Sequence, residues 1–157
     1  MSSSWKWLGL SGLVIALDQW TKHLALAHLE FARSMPVFPG LNWTLLYNRG
    51  MAFSLFSDGG WQVWMLTILT AVVSVAIAIW LFRTPGDHRW QAGSLSLVLG
   101  GAVGNLIDRL RYGHVVDFID VYYRQWHWPA FNIADSAITV GAVILAFVLF
   151  FEDRKET

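Results

Sequence analysis

The stretch NIADSAITVGAVILAFVLFF, residues 132–151, holds only small or apolar side chains from Ser136 onward, apart from the hydroxyls of Ser136 and Thr139. A run of this length and character reads as a membrane-crossing helix. Asp135 stands just inside its start, and Asn132 lies three residues earlier. A carboxylate at the centre of a membrane helix costs about 2.5–3.5 kcal/mol on insertion scales. At helical rise, Asp135 is about 24 Å from the far end of the run, so it is shallow and close to one interface.

The rest of the chain fits that setting. Of its 157 residues, 55% are hydrophobic and 14% charged, with ten Trp and ten Phe. That is more apolar and less charged than an average soluble domain. The formal net charge is zero, so no nucleic-acid footprint is present. With no cysteine, a disulfide framework and a thiol nucleophile are both excluded. No linker, low-complexity tract or repeat divides the chain, and a single integral membrane domain over 1–157 is expected.

Four helices are predicted, at approximately 5–29, 61–82, 90–109 and 131–151. Trp61–Phe82 carries no charge and is about 33 Å long at helical rise. Trp90–Ile107 is shorter and rich in small residues, and its Gly100 and Gly104 have the GxxxG spacing that admits a close neighbour. The first segment is interrupted by Asp18, Gln19 and Lys22. Lys6, the run Leu8–Leu17 and the A-x-A at Ala25–Ala27 give it the outline of a signal peptide. The three polar residues fall between the apolar run and that cleavage site, which favours an uncleaved helix.

Two outer-face elements, 35–57 and 114–130, separate these helices. In LNWTLLYNRGMAFSLF, residues Leu41, Trp43, Leu45 and Tyr47 alternate with Asn42, Thr44 and Asn48, while Leu46 breaks the rule. The pattern predicts a strand on the membrane surface, opened by Pro36, Pro39 and Gly40, with a turn at Asn48–Gly50. MAFSLF reads as a strand or a short interfacial helix. HVVDFIDVYY is rich in β-branched and aromatic residues and predicts a second strand region. Tyr123, Trp126 and Trp128 suit a headgroup-level belt.

Consecutive crossings alternate in direction, and this brings the polar residues together. Helix one carries its charges toward its C-terminal half, helix three carries Asn105, Asp108 and Arg109 at its C-terminal end, and helix four carries Asn132 and Asp135 at its start. All three clusters fall on one side of the membrane, as do both outer-face elements. Asp18 and Lys22 are i,i+4 with the acid first and can pair along the helix. That pair has a plain alternative reading, as a neutralised pair that makes insertion tolerable. Asp108 and Arg109 can equally be a solvated helix end, and Asp135 a carboxylate favoured by the helix dipole.

Asp117, in VVDFID, lies on the same side as Asp135 among Val115, Val116, Phe118 and Ile119. Two carboxylates held close in an apolar setting share a proton, and one can then activate water while the other donates to a carbonyl oxygen. That is aspartic peptidase chemistry. Asp108 and Asp120 are rival partners for the pair. No H-E-x-x-H or G-x-S-x-G element is present, the five His are scattered, and no metal site or cofactor is expected. His114 and His127 read as interfacial polar residues. A Ser/Lys dyad would need Lys22, whose nearer neighbour is Asp18. Intramembrane Asp, Lys and Arg also suit a small proton-coupled carrier, although the charges avoid the midplane and no repeated halves are seen.

DQWTKHL, YNRGMAFS, GGAVGNLIDRLRYGHVVDFIDVY and FNIADSAI, in this order, resemble the signature blocks of the lipoprotein signal peptidases, the type II signal peptidases of bacteria. The resemblance implies that Asp117 and Asp135 are the catalytic dyad. It implies that Asn48, Asn105, Arg109 and Asn132 support the dyad and bind substrate. Asp18 and Lys22 match a structural or substrate-side pair, and Asp108 a non-catalytic aspartate. The implied fold is a membrane all-α bundle of four transmembrane helices, with a small β-cradle and short interfacial helix on the periplasmic side. The implied substrate is a diacylglyceryl prolipoprotein, cleaved immediately before the lipidated cysteine. The implied setting is the inner membrane with both termini cytoplasmic. Membrane lipid is an expected partner, and a monomer is the expected state. Charge bias does not fix orientation, because Lys6, Arg83, Arg89, Arg154 and Lys155 on one side balance Arg33, Arg49, Arg109, Arg111 and Arg124 on the other.

Overall fold

A computed structural model describes residues 4–50 and 61–152. A 3-10 turn, Ser4–Trp7, leads into α1 (Leu8–His28), followed by β1 (Ser34–Phe38) and β2 (Leu41–Asn48). Then come α2 (Trp61–Arg83), α3 (Arg89–Tyr112), β3 (Val115–Tyr123), β4 (Trp126–His127) and α4 (Ile133–Glu152). The MAFSLF segment lies outside the described residues.

Two segments among the described residues, Val63–Arg83 and Ile133–Phe151, are long and apolar enough to cross a membrane. Their apolar side chains point outward: Trp64, Ile68, Val72 and Val75 on α2, and Val140, Val143, Phe147 and Phe150 on α4, are all exposed. A core helix of a soluble protein would hide them. By contrast, α1 and α3 bury polar groups, among them Ser11, Asp18 and Lys22 on α1 and Ser94, Ser96, Asn105 and Asp108 on α3.

α3 is the central helix and packs against α1, α2 and α4. Its glycines make this possible. A Cβ on Gly100 would stand 2.8 Å from Val14 Cβ and 2.9 Å from the Ser11 carbonyl oxygen, and one on Gly104 would stand 2.6 Å from Asp18 Oδ2. The GxxxG pair therefore faces α1. Gly101 faces α4, where a Cβ would run into the Ala134 carbonyl, and Gly141 answers from α4 with a Cβ that would lie 2.7 Å from the Ser94 oxygen. At the opposite end from the polar cluster, Leu81, Ala92, Leu95 and Leu99 join α2 and α3 in an apolar core.

The strands form one antiparallel sheet in the order β1-β2-β3-β4. Pro39 and Gly40 make the β1–β2 turn, and Gly40 takes φ 98, which a side chain would resist. Pro36 sits in the edge strand β1, where a missing N–H is tolerated. Leu45, Val116 and Phe118 pack on Ala25, anchoring the sheet to the end of α1. Phe131 exchanges backbone hydrogen bonds with Ile119, at 2.9 and 3.1 Å, so β3 is tied to the residue just before Asn132.

Pairing of β2 with β3 shifts by one residue between Trp43 and Leu46. Asn42 pairs with Asp120, whereas Leu46 pairs with Asp117. Paired residues share a face, so the shift inverts the alternation of β2. Asn42 and Thr44 go to the face of Asp120, and Asn48 goes to the face of Asp117. The sequence pattern had put all three on one face; the bulge corrects it and accounts for the misfit at Leu46.

Candidate active site

Asn132 and Asp135 form a reciprocal cap at the start of α4. The Asp135 N–H donates to Asn132 Oδ1 at 2.9 Å, and the Asn132 N–H donates to Asp135 Oδ2 at 3.3 Å. This is the capping-box arrangement with Asn and Asp in the two positions. The free N–H of Ala134 donates to Asp18 Oδ1 of α1 at 2.9 Å. Both carboxylates thus lie where the helix N-terminus favours negative charge.

The same Asn132 reaches the second aspartate. Its Nδ2 donates to Asp117 Oδ1 at 2.7 Å, and contacts the Val116 carbonyl at 3.2 Å and Asn105 Oδ1 at 3.3 Å. Asn132 is fully buried. Asn48 Nδ2 donates to the other oxygen, Asp117 Oδ2, at 3.0 Å, and Asn48 Oδ1 accepts the Gly50 N–H, which fixes the turn. Asn105 Nδ2 donates to Asp135 Oδ1 at 2.7 Å. Asp117 is 2% exposed. Burial first, and then the charge of Asp135, push its carboxyl up to about 7, against the pull of Asn48, Asn132 and Lys22. Asp135 is half-buried.

Lys22 sits below this pair. Its ammonium lies 2.8 Å from Asp18 Oδ2 and 2.8 Å from Asp108 Oδ2, and donates to Asn105 Oδ1 at 3.0 Å. Gln19 Nε2 bridges the same two aspartates, at 3.2 Å to Asp18 and 2.9 Å to Asp108. Asp108 also accepts the Val116 N–H at 3.0 Å. It is 1% exposed, so the solvated-helix-end reading of Asp108 does not hold. Arg109 is half-buried at the rim, with Nη1 3.5 Å from the Asn105 carbonyl and Asp135, Asp108 and Asp117 within electrostatic reach.

Asp120 belongs elsewhere. On the opposite face of β3, it accepts from Asn42 at 3.1 Å, from Thr44 at 3.0 Å and pairs with His127 at 2.7 Å. Burial raises its carboxyl, but the hydrogen bonds of His127, Asn42 and Thr44 outweigh it and hold the group below its ordinary value. It is a buried strand residue, not a solvated loop carboxylate. The His114 ring lies tilted against Tyr47 with centroids 4.3 Å apart, and burial, with the charge of Arg49, holds its imidazole below the ordinary value. No group of His, Asp and Glu among the described residues is arranged to hold a metal.

The structure therefore brings Asn48, Asn105, Asn132, Asp117 and Asp135 into one hydrogen-bonded cluster, with Asp18, Lys22 and Asp108 beneath it and Arg109 at its edge. Sequence reasoning gave Gln19 no role, although it lies between the two acidic positions in the DQWTK block.

A family model described as signal peptidase (SPase) II matches residues 10–151. The chain belongs to the signal peptidase II family. It is 53% identical over 150 residues to a lipoprotein signal peptidase of Acinetobacter baylyi, covering 95% of this chain and 84% of that one. It is 52% identical over 153 residues to a lipoprotein signal peptidase of Xanthomonas oryzae pv. oryzae, covering 96% and 92%. A bacterial membrane enzyme solved by the in meso method at 1.9 Å superposes with a TM-score of 0.84 at 29% identity, covering 95% of this chain and 97% of that one. The helices and four-stranded antiparallel sheet are thus similar in fold to a known membrane enzyme.

Proposed function

We propose that the chain is a lipoprotein signal peptidase that removes the signal peptide of a diacylglyceryl prolipoprotein, immediately before the lipidated cysteine, with Asp117 and Asp135 as an aspartic dyad. The observation that carries the dyad is Asn132, one buried residue that donates to both carboxylates, through its side-chain amide to Asp117 and through its backbone N–H to Asp135. Asp117, buried and pushed up to about 7, carries the shared proton, and Asp135 is the ionised member. Water gives a proton to Asp135 as its oxygen attacks the scissile carbonyl carbon, while the Asp117 proton passes to the carbonyl oxygen. The tetrahedral diol then collapses. Asp117 recovers a proton from a hydroxyl, Asp135 delivers its proton to the leaving nitrogen, the C–N bond breaks, and the dyad is restored.

Asn48, Asn105, Arg109 and Asn132 orient the dyad and the substrate backbone, and Asp18 with Lys22 supports them from below. We read residues 1–157 as one domain with four membrane crossings, including α1 and α3, whose polar groups turn inward. Both termini are cytoplasmic, and the site lies at the periplasmic face of the inner membrane. The exposed apolar belts of α2 and α4 and the shallow position of Asp135 support a membrane setting with the site near one interface, and the resemblance to the lipoprotein signal peptidases supports the choice of face. A shallow site meets the peptide bond while the acyl chains remain in the bilayer, and a monomer suffices. The test is cleavage of a purified diacylglyceryl prolipoprotein by the purified protein in lipid or detergent. Release of the signal peptide with the lipidated cysteine at the new N-terminus is expected. Equal rates on the same prolipoprotein lacking diacylglycerol would contradict the substrate assignment.

A further inference from the structure

We infer that Lys22 is a positioning residue for the dyad: its ammonium fixes the orientation of the Asn105 amide, and so obliges Asn105 to donate to Asp135. The inference rests on the dyad reading above. Lys22 is 2% exposed and has its three donors spent, on Asp18, Asp108 and Asn105. An ammonium only donates, and an ionised carboxylate only accepts. Asn105 stands between the two, with Oδ1 at 3.0 Å from Nζ and Nδ2 at 2.7 Å from Asp135 Oδ1. The flipped amide would set NH₂ against the ammonium and a carbonyl oxygen against the carboxylate. Neither contact is tolerable in a buried site.

The salt-bridge partners of Lys22 make this orientation durable. Asp18 on α1 and Asp108 on α3 hold the ammonium from two elements, and Gln19 links them. Asp18 also caps Ala134, one residue before Asp135. The other charged groups near the amide are Asp117 on β3, Asp135 on α4 and Arg109 on α3. Asn132, the second amide, has its Oδ1 held by the Asp135 N–H of the α4 cap, and its Nδ2 adds a longer contact of 3.3 Å to Asn105 Oδ1 beside the 3.0 Å bond from Lys22. Each carboxylate thus receives an amide donor whose direction is dictated by a group that does no chemistry.

The test is a double-mutant cycle between Lys22→Met and Asn105→Ala, read as kcat and KM for a diacylglyceryl prolipoprotein and as the pH profile of kcat. Loss of one charge-assisted hydrogen bond at the dyad corresponds to about a ten- to hundredfold fall. Each single variant is expected to lose about that much kcat with little change in KM, and to move the acid limb of the profile to higher pH. The double variant should be little worse than either single one, because both remove the same donor. If Lys22→Met does not accumulate as folded protein, the pair Lys22→Met with Asp108→Asn removes one charge of each sign and is compared with Asp108→Asn alone. Full additivity, or an unmoved acid limb, would overturn the inference. Retention of activity by Asp135→Asn would instead overturn the dyad reading, so the two failures are distinguishable.

Discussion

Asn48 reaches Asp117 at 3.0 Å because β2 gains one residue on β3 between Trp43 and Leu46. Six residues earlier on the same strand, Asn42 donates to Asp120 on the other face. The two asparagines are therefore a matched pair for separating chemistry from folding. Asn48→Ala should lower kcat by about tenfold or more, the worth of a hydrogen bond to a charged or partly charged acceptor. Asn42→Ala should leave kcat unchanged and cost about 1 kcal/mol of stability, since Thr44 and His127 still serve Asp120. Equal kinetic losses in the two variants would place both faces in the site.

Asp117→Asn and Asp135→Asn should each reduce processing by about a thousandfold or more while the protein still inserts. An amide fills neither role in a proton-sharing pair. Asp120→Asn should keep most activity, because its partners lie on the opposite face. Processing by purified Asp117→Asn at a tenth of the wild-type rate would remove Asp117 from the dyad.

The raised carboxyl of Asp117 has a consequence for stability. Its value goes from 3.8 in the unfolded chain to about 7 in the folded one. Its protonated form favours the fold, so its contribution is complete below about 4 and is lost as pH rises through about 7. Thermal unfolding in detergent should show a Tm that declines over that window through this group. In Asp117→Asn the decline should flatten. Activity should fall above about 7, as the shared proton leaves.

Packing at α3 predicts a sharp contrast among glycines. Gly101→Ala drives a methyl into the Ala134 carbonyl and Ile138, next to Asp135, and should cost about 1–3 kcal/mol or more together with activity. Gly9→Ala meets nothing within 4 Å on α1 and should be neutral, or stabilising by about 0.5–1 kcal/mol. Denaturation monitored on the purified variants separates the two.

Topology is checked by reporter fusions at residue 87, in the turn between α2 and α3, and at the C-terminus. Both should report cytoplasm. A periplasmic signal at the C-terminus would require an odd number of crossings, and the alternation that gathers the polar residues on one side would fail.

Much of this site was legible in the sequence because its parts are local. Asn132 and Asp135 are three apart and make a cap, and Asp18 and Lys22 are four apart and make an ion pair. The GxxxG pair also reads directly as close packing, and α1 is what it meets. What escaped was non-local. The bulge in β2 depends on its register against a strand about seventy residues away, and no alternation count within the strand reveals which of Thr44 or Leu45 is the extra residue. Asp108 stayed open between a solvated helix end and a partner in the polar cluster, because Lys22 and the Val116 N–H, which bind it, come from other elements. Gln19 was unreadable for the same reason, being polar glue between two helices.

The glycine contacts on either side of α3 bear on how the molecule can move. Backbone lies against backbone where Gly100 meets α1 and where Gly101 and Gly141 join α3 to α4, and Gly104 leaves room for the Asp18 carboxylate. Joints of this kind do not slide, because a small displacement drives carbonyl into backbone. α1, α3 and α4 form a stiff keel that carries Asn105, Asn132 and Asp135. Asp117 and Asn48 ride instead on the sheet, held to the keel by Phe131, Asn132 and the apolar patch around Ala25. The two carboxylates are thus delivered by different parts of the fold, one by the sheet and one by the helices, and Asn132 is the residue that spans the seam between them.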